Sequence, residues 1–105
     1  EELTKEGINA EVIDLRTVRP IDYATVIASV KKTNRMVFVE EAWPLASIST
    51  EVSFKVQREA FDYLDAPIQR ITTADTPAPY SPVLLEKWIP NSNDIVTEVK
   101  DLLNR

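Results

Sequence analysis

The fold of this chain turns on the stretch Val12-Ile13-Asp14-Leu15-Arg16-Thr17-Val18-Arg19-Pro20-Ile21-Asp22. Its first residues, up to Leu15, are β-branched or bulky and predict a strand that is covered by helices. Pro20 disfavours helical backbone at Arg19, so regular structure is interrupted there. Asp22 is then placed to cap a following helix. The stretch therefore predicts a buried strand, a tight corner and the start of a helix.

The corner also carries four charged side chains, which are those of Asp14, Arg16, Arg19 and Asp22. Such a cluster is either a site for an acidic substrate or a structural clasp. The chain has no His and no Cys, and its single Gly cannot form a loop that cradles phosphate. We therefore interpret the corner as a clasp, in which the arginines bind carboxylates of this domain or of a neighbouring subunit.

Hydrophobic spacing along the rest of the chain predicts that helices alternate with strands. Helices are predicted at about 1–6, 22–32, 46–61 and 84–88 and near the end of the chain, where Ser92 or Asn93 is the expected cap. Further strands are predicted at 36–39, buried on both faces, and at 68–72. The apolar stripes of the second and third helices consist of Tyr23, Val26, Ile27 and Val30, and of Leu45, Ile48, Val52, Val56 and Ala60. This order predicts an α/β domain with a mostly parallel sheet between two helical layers.

Composition limits the classes of function. The chain has 105 residues, which is the size of one domain, and 44% of them are hydrophobic, as is usual for a globular core. A net charge of −5 argues against binding to nucleic acid or to an anionic membrane surface. The absence of His and Cys weighs against a complete enzyme.

Two adjacent carboxylates, those of Glu40 and Glu41, follow the predicted strand 36–39. Ligands of open α/β sheets collect at the carboxyl ends of strands, so the pair is a candidate acid–base site. The alternative is that one carboxylate is solvated and the other receives structural hydrogen bonds. We favour this alternative, because glycosidase-type or metal chemistry would need a second acidic cluster or a His nearby.

Two features predict contact with another protein. Phe54 and Phe61 lie one heptad apart and off the core stripe of their helix, which suggests a second apolar face. The alternative for Phe61 is that it packs into the turn that follows. The proline-rich loop at 73–82 is expected to be stiff and to display Tyr80, as a contact surface or simply as a rigid connector.

Four motifs occur in register along the chain: Ala10–Asp22, Val39–Pro44, Phe61–Pro67 and Ala74–Tyr80. With them the chain resembles the C-terminal domain of pyruvate dehydrogenase beta subunits, and more distantly that of transketolase. Branched-chain 2-oxo acid dehydrogenase beta subunits are the nearest alternative. An independent acidic α/β enzyme that uses Glu40 and Glu41 is a further alternative.

The resemblance implies a function for the whole protein, which is to decarboxylate pyruvate with thiamine diphosphate and magnesium and to acetylate lipoyl groups reductively. In that family the cofactor and the catalytic histidines lie in the alpha subunit and in the N-terminal domain of the beta subunit. The C-terminal domain assembles an α2β2 tetramer and helps to dock it onto the dihydrolipoyl acyltransferase core. Such enzymes are cytoplasmic in bacteria and lie in the mitochondrial matrix in eukaryotes.

For this chain the resemblance implies that residues 1–105 are a single C-terminal domain fragment whose first strand lies upstream. No catalytic, cofactor-binding or metal-binding residue is expected in it. The residues expected at partner interfaces are Arg16, Arg19, Glu41, Trp43, Phe54, Phe61, Asp75 and Tyr80.

Overall fold

A computed structural model describes residues 1–104 of the chain as helices arranged around a short sheet. The helices are α1 (Glu2–Lys5), α2 (Tyr23–Thr33), α3 (Ile48–Ala60), α4 (Pro82–Trp88) and α5 (Ser92–Leu102). The strands are β1 (Val37–Val39) and β2 (Gln69–Ile71), and a 3-10 turn, Phe61–Tyr63, follows α3. In the described part of the chain no helix is long and apolar enough to cross a membrane.

The two strands pair in parallel, with Val37 opposite Gln69 and Val39 opposite Ile71. Backbone hydrogen bonds continue the pairing beyond the strand ends, since Glu40 N donates to Ile71 O at 3.0 Å. The carboxyl ends of both strands therefore lie at the same edge of the sheet. The predicted α/β class with a parallel sheet is confirmed.

The core lies between α2 and α3, which pack against each other, while α5 packs against both strands. Its buried members are Val26, Val30, Val52, Val56 and Ala60. Because these residues recur at helical spacing, each helix buries one stripe, as the sequence predicts. The prediction that Leu45 belongs to the stripe of α3 is wrong, because Leu45 precedes the helix and its side chain is 81% exposed.

The predicted strand at Val12–Leu15 is wrong for the described chain, because no ladder forms there. Val12 is 89% exposed, although Leu15 packs against the core. Arg16 has a left-handed backbone (φ 60°) and Thr17 N donates to Leu15 O, so the segment ends in a tight turn. Apolar composition alone does not make a strand, because a strand also needs a hydrogen-bonded neighbour.

Strand β1 also differs from its prediction. The sequence predicts that 36–39 lies at the centre of the sheet with both faces buried. In the described residues β1 has one neighbouring strand, β2, and Val39 is exposed. The run Met36–Val39 therefore lies at a sheet edge and is only partly covered.

Helix ends follow the expected cap chemistry. Asp22 caps α2, because its carboxylate accepts hydrogen bonds from Thr25 N at 3.1 Å and Thr25 Oγ1 at 2.6 Å. Gly7, just past α1, has φ 76°, a left-handed backbone that glycine adopts without strain. The cap of α5 is Asn91 rather than Ser92 or Asn93, since Asn91 and Asp94 form a reciprocal capping box.

Candidate interaction surface

At the carboxyl end of β1, the side chain of Glu40 is held by the first turn of α3. Its carboxylate accepts hydrogen bonds from the hydroxyl of Ser49 and, at 3.4 Å, from the backbone N–H of Ser49. Ser49 is fully buried. A carboxylate at a helix N-terminus satisfies a free N–H and is favoured by the helix dipole. Glu40 therefore joins the strand end to α3.

Arg70, in β2, strengthens the same junction from the neighbouring strand. Its Nη1 atom lies 2.6 Å from Pro44 O and 2.8 Å from Thr50 Oγ1. The hydroxyls of Ser47 and Ser49 lie further away, at 3.3 and 3.4 Å. One guanidinium nitrogen carries two hydrogens, so the two short contacts are the principal bonds. Arg70 thus fastens the loop before α3 to the start of that helix.

The acid–base interpretation of Glu40 and Glu41 finds no support in this geometry. Glu40 is engaged by Ser49, whereas Glu41 is exposed and forms no ion pair with any described residue. Among residues 1–104 no group of three or more His, Cys, Asp or Glu side chains is placed to hold a metal ion. The two carboxylates therefore have different environments and different partners.

The loop at 73–82 is fastened through tryptophan side chains. Trp43 Nε1 and Trp88 Nε1 both donate to the backbone carbonyl of Thr76, at 2.8 and 2.9 Å. Thr73 N donates to Ala42 O at 3.1 Å, which anchors the beginning of the loop. Tyr80, near the end of the loop, is fully exposed, as the sequence predicts. The loop therefore presents an aromatic side chain from a fixed base.

A second apolar surface lies along α3. Phe54 and Phe61 are 58% and 63% exposed and line an open groove of about 640 Å³, here called the phenylalanine groove. The rest of its lining is Ser53, Gln57, Leu64, Asp65, Ala66, Pro67 and Ile68. At this exposure, Phe61 is not buried in the turn that follows it. Exposed aromatic clusters of this kind mark contact surfaces more often than isolated apolar residues do.

The four charged side chains of the corner, those of Asp14, Arg16, Arg19 and Asp22, form no salt bridge with one another in the described structure. Arg16 N donates to Asp14 Oδ1 at 3.0 Å, but this bond uses the backbone and leaves the guanidinium out. In the described part of the chain neither Arg16 nor Arg19 forms a salt bridge; the ion pairs found there are Lys32–Glu11, Lys55–Glu59 and Lys100–Glu6. Among residues 1–104 the two arginines therefore bind no carboxylate of their own domain, so this form of the predicted clasp is wrong. Their binding to carboxylates of a neighbouring subunit stays a prediction. Asp75, another residue predicted at a partner interface, is exposed, as are Arg16 and Arg19.

The structure thus groups some of the predicted interface residues and leaves others apart. Phe54 and Phe61 share the phenylalanine groove, and Trp43 is bonded to the loop that carries Tyr80. Sequence reasoning missed Trp88 and Arg70, because the bonds of both reach backbone carbonyls that no sequence motif marks. For Trp88 the sequence offers one hint, which is that the chain has only two tryptophans. For Arg70 it offers none.

Comparison with known proteins gives consistent results. The model of the family "Transketolase, C-terminal domain" matches residues 1–95. Over 98 residues, 93% of this chain, it is 51% identical to "Pyruvate dehydrogenase E1 component subunit beta-2, mitochondrial" from Oryza sativa subsp. japonica. It is 52% identical over 99 residues to the E1 component subunit beta of Rhizobium meliloti (strain 1021), and 50% identical over 105 residues to the mitochondrial protein of Dictyostelium discoideum. The chain spans 26%, 22% and 30% of the lengths of these three relatives.

Proposed function

The chain belongs to the transketolase C-terminal domain family, and we propose that it is the assembly domain of a pyruvate dehydrogenase E1 beta-type subunit. The observation that carries this proposal is identity of about one residue in two, over nearly the whole chain, to proteins that bear that name. Since the chain spans at most 30% of those relatives, the activity of the whole protein is part of the proposal.

For the whole protein we propose decarboxylation of pyruvate with thiamine diphosphate and magnesium, followed by reductive acetylation of a lipoyl group. Its partners are an alpha subunit and a second beta subunit, in an α2β2 tetramer, together with a dihydrolipoyl acyltransferase core. The named relatives include mitochondrial and bacterial proteins. We accordingly propose the mitochondrial matrix as its location if the source is a eukaryote, and the cytoplasm if it is a bacterium.

The residues that the structure describes, 1–104, do not form a site that fits the cofactor. A magnesium diphosphate needs carboxylate or carbonyl oxygens for the ion and several N–H donors for the phosphates. As far as residue 104, no cluster of acidic residues suitable for a metal is found. The half-buried carboxylate of Glu40 is already bound by Ser49. We therefore propose that other parts of the enzyme bind the cofactor.

The surface of the domain supports a role in assembly. Trp43, Phe54, Phe61 and Tyr80 all expose large aromatic surfaces, and aromatic residues are enriched at protein interfaces. The charged residues Arg16, Arg19, Glu41 and Asp75 are exposed as well. We propose that these eight residues contribute to contacts with other subunits.

The proposal is tested with the longer polypeptide that carries this domain, purified together with an alpha-type subunit. We expect a 2:2 complex in native mass spectrometry and pyruvate-dependent acetylation of a lipoyl domain that requires thiamine diphosphate and magnesium. In a Glu41→Gln variant, turnover per assembled complex should stay unchanged. Loss of turnover from a fully assembled Glu41→Gln complex would instead favour the acid–base alternative.

A further inference from the structure

Arg35, in the segment between α2 and β1, carries a buried hydrogen-bond donor that has no acceptor. Its side chain is partly buried, and its Nε atom is enclosed by protein without a hydrogen-bond partner among residues 1–104. The guanidinium also takes part in none of the salt bridges found in that part of the chain. An N–H of a charged group that is buried and unpaired costs free energy, so such a donor calls for a partner.

The backbone on both sides of Arg35 is held in place. Asn34 has a left-handed backbone (φ 66°), and its carbonyl accepts a hydrogen bond from Asp65 N at 2.8 Å. On the other side, the carbonyl of Met36 accepts from Gln69 N at 3.1 Å. Although Asp65 is bonded to the residue next to Arg35, its carboxylate forms no salt bridge with any described residue. Arg35 therefore presents its donor from a fixed position that no described carboxylate serves.

We propose that the guanidinium of Arg35 binds an oxyanion that residues 1–104 do not supply, namely a carboxylate or a phosphate group. The Nε–H and one Nη–H of a guanidinium are parallel donors, and their spacing matches two oxygens of such a group. A carboxylate side chain of the longer polypeptide and a free phosphate ion offer the same acceptor oxygens. The inference goes beyond the proposed function, from which it takes only that this domain is part of a longer polypeptide.

The electrostatics of this segment favour an anion over a neutral acceptor. Lys31, four residues before Arg35, has its Nζ atom 5.2 Å from the centre of the Tyr63 ring and forms no salt bridge among the described residues. Its positive charge, like that of Arg35, is therefore not compensated by a described carboxylate. A water molecule or a backbone carbonyl could accept the Nε–H bond, but only an anion also compensates a charge that is partly withdrawn from water.

The test uses the sign of a stability change in the longer polypeptide that carries this domain. Arg35→Met removes the charge and the buried donor but keeps an unbranched apolar side chain. We expect it to lower the midpoint of thermal unfolding by about 2 °C or more, because the bound oxyanion is lost or left unpaired. An unpaired guanidinium would give the opposite sign, since an apolar replacement then relieves the burial of a charge. Lys87→Met, at an exposed cation of α4, is the matched control and should leave the midpoint unchanged.

Arg35→Lys separates the bound oxyanion from a merely structural role of the side chain. It keeps the cation and the aliphatic stem but not the parallel donors, so its midpoint should lie between those of wild type and Arg35→Met. Without an oxyanion, a partly buried ammonium is less favourable than an apolar side chain, and Arg35→Lys would be the less stable variant of the two.

Inorganic phosphate, titrated against chloride at constant ionic strength, distinguishes the two sources of the oxyanion. A bound phosphate raises the wild-type midpoint and leaves that of Arg35→Met unchanged. A bound carboxylate gives a wild-type advantage that is the same with and without phosphate. The proposal is overturned if Arg35→Met is at least as stable as wild type under both conditions, or if Arg35→Lys is less stable than Arg35→Met. Failure to bind an alpha-type subunit, with the predicted stability differences intact, would count against the proposed function and support this inference.

Discussion

Trp43 and Trp88 donate hydrogen bonds to one backbone oxygen, the carbonyl of Thr76, although they come from different parts of the chain. Trp43 follows β1, whereas Trp88 is the last residue of α4. A carbonyl oxygen has two lone pairs and can accept both bonds at once. The carbonyl of Thr76 therefore links the loop at 73–82 to two separate elements, the segment after β1 and the end of α4.

Replacing either tryptophan by phenylalanine should loosen this loop. Trp43→Phe and Trp88→Phe each keep an aromatic ring but remove the N–H donor, so we expect each to cost about 0.5 to 1.5 kcal/mol in free energy of unfolding. Amide hydrogen exchange should become faster across 73–82 in both variants. Tyr80→Phe is the control, because a fully exposed ring contributes little to stability. Unchanged exchange in both tryptophan variants would show that the shared carbonyl does not hold the loop.

The junction between Glu40 and Ser49 makes a separate prediction about stability. Ser49→Ala removes the hydroxyl that donates to Glu40 and leaves a half-buried carboxylate short of a partner. We expect a loss of about 1 to 3 kcal/mol in the free energy of unfolding, measured by urea denaturation. Ser53→Ala, on the same helix but only partly buried, is the matched control. The prediction fails if the two alanine variants are equally stable.

The helical part of this fold can be read from the sequence, because periodicity is a local property. Val26 and Val30 in α2, like Val52 and Val56 in α3, lie on one face whatever the rest of the chain does, and all four are buried. The exposed pair Phe54 and Phe61 was found by the same reasoning, since both residues lie off that face.

Features that depend on a distant partner could not be found in this way. Val12–Leu15 has the composition of a strand, but whether a ladder forms depends on a neighbour that local sequence does not specify. Thr76 carries no side-chain signal for a bond that its carbonyl makes to two indoles. The cap of α5 was misplaced for another reason: Asn91, Ser92 and Asn93 are all good caps, and the position of Asp94 decides among them.

Two valine-to-alanine changes test where the core ends. Val52 is completely buried between α2 and α3, so Val52→Ala should lower the free energy of unfolding by about 1 to 3 kcal/mol through lost burial and the cavity left behind. Val12→Ala makes the same chemical change at a position that is 89% exposed, and it should alter stability by less than about 0.5 kcal/mol. Denaturant titration of both variants gives the comparison. A large loss for Val12→Ala would mean that residues 12–15 are packed as a strand after all.

The cap of α2 makes the stability of the domain depend on pH in a defined direction. Hydrogen bonds from the hydroxyl and then the backbone N–H of Thr25 lower the pKa of Asp22 below its ordinary value. Because the folded-state pKa is the lower one, the cap stabilises fully above the unfolded-state pKa of about 3.9, and this stabilisation is lost as pH falls through the lowered value.

Asp22→Asn keeps a good cap that does not titrate, whereas Asp22→Ala removes the cap. We therefore expect the stability advantage of wild type over Asp22→Asn to be constant above about pH 5 and to shrink as the pH is lowered through the range where Asp22 titrates. Asp22→Ala should be the least stable of the three proteins at neutral pH. Thermal unfolding measured from pH 7 down to pH 3 gives all three curves, and an advantage over Asp22→Asn that does not change with pH would contradict the assignment.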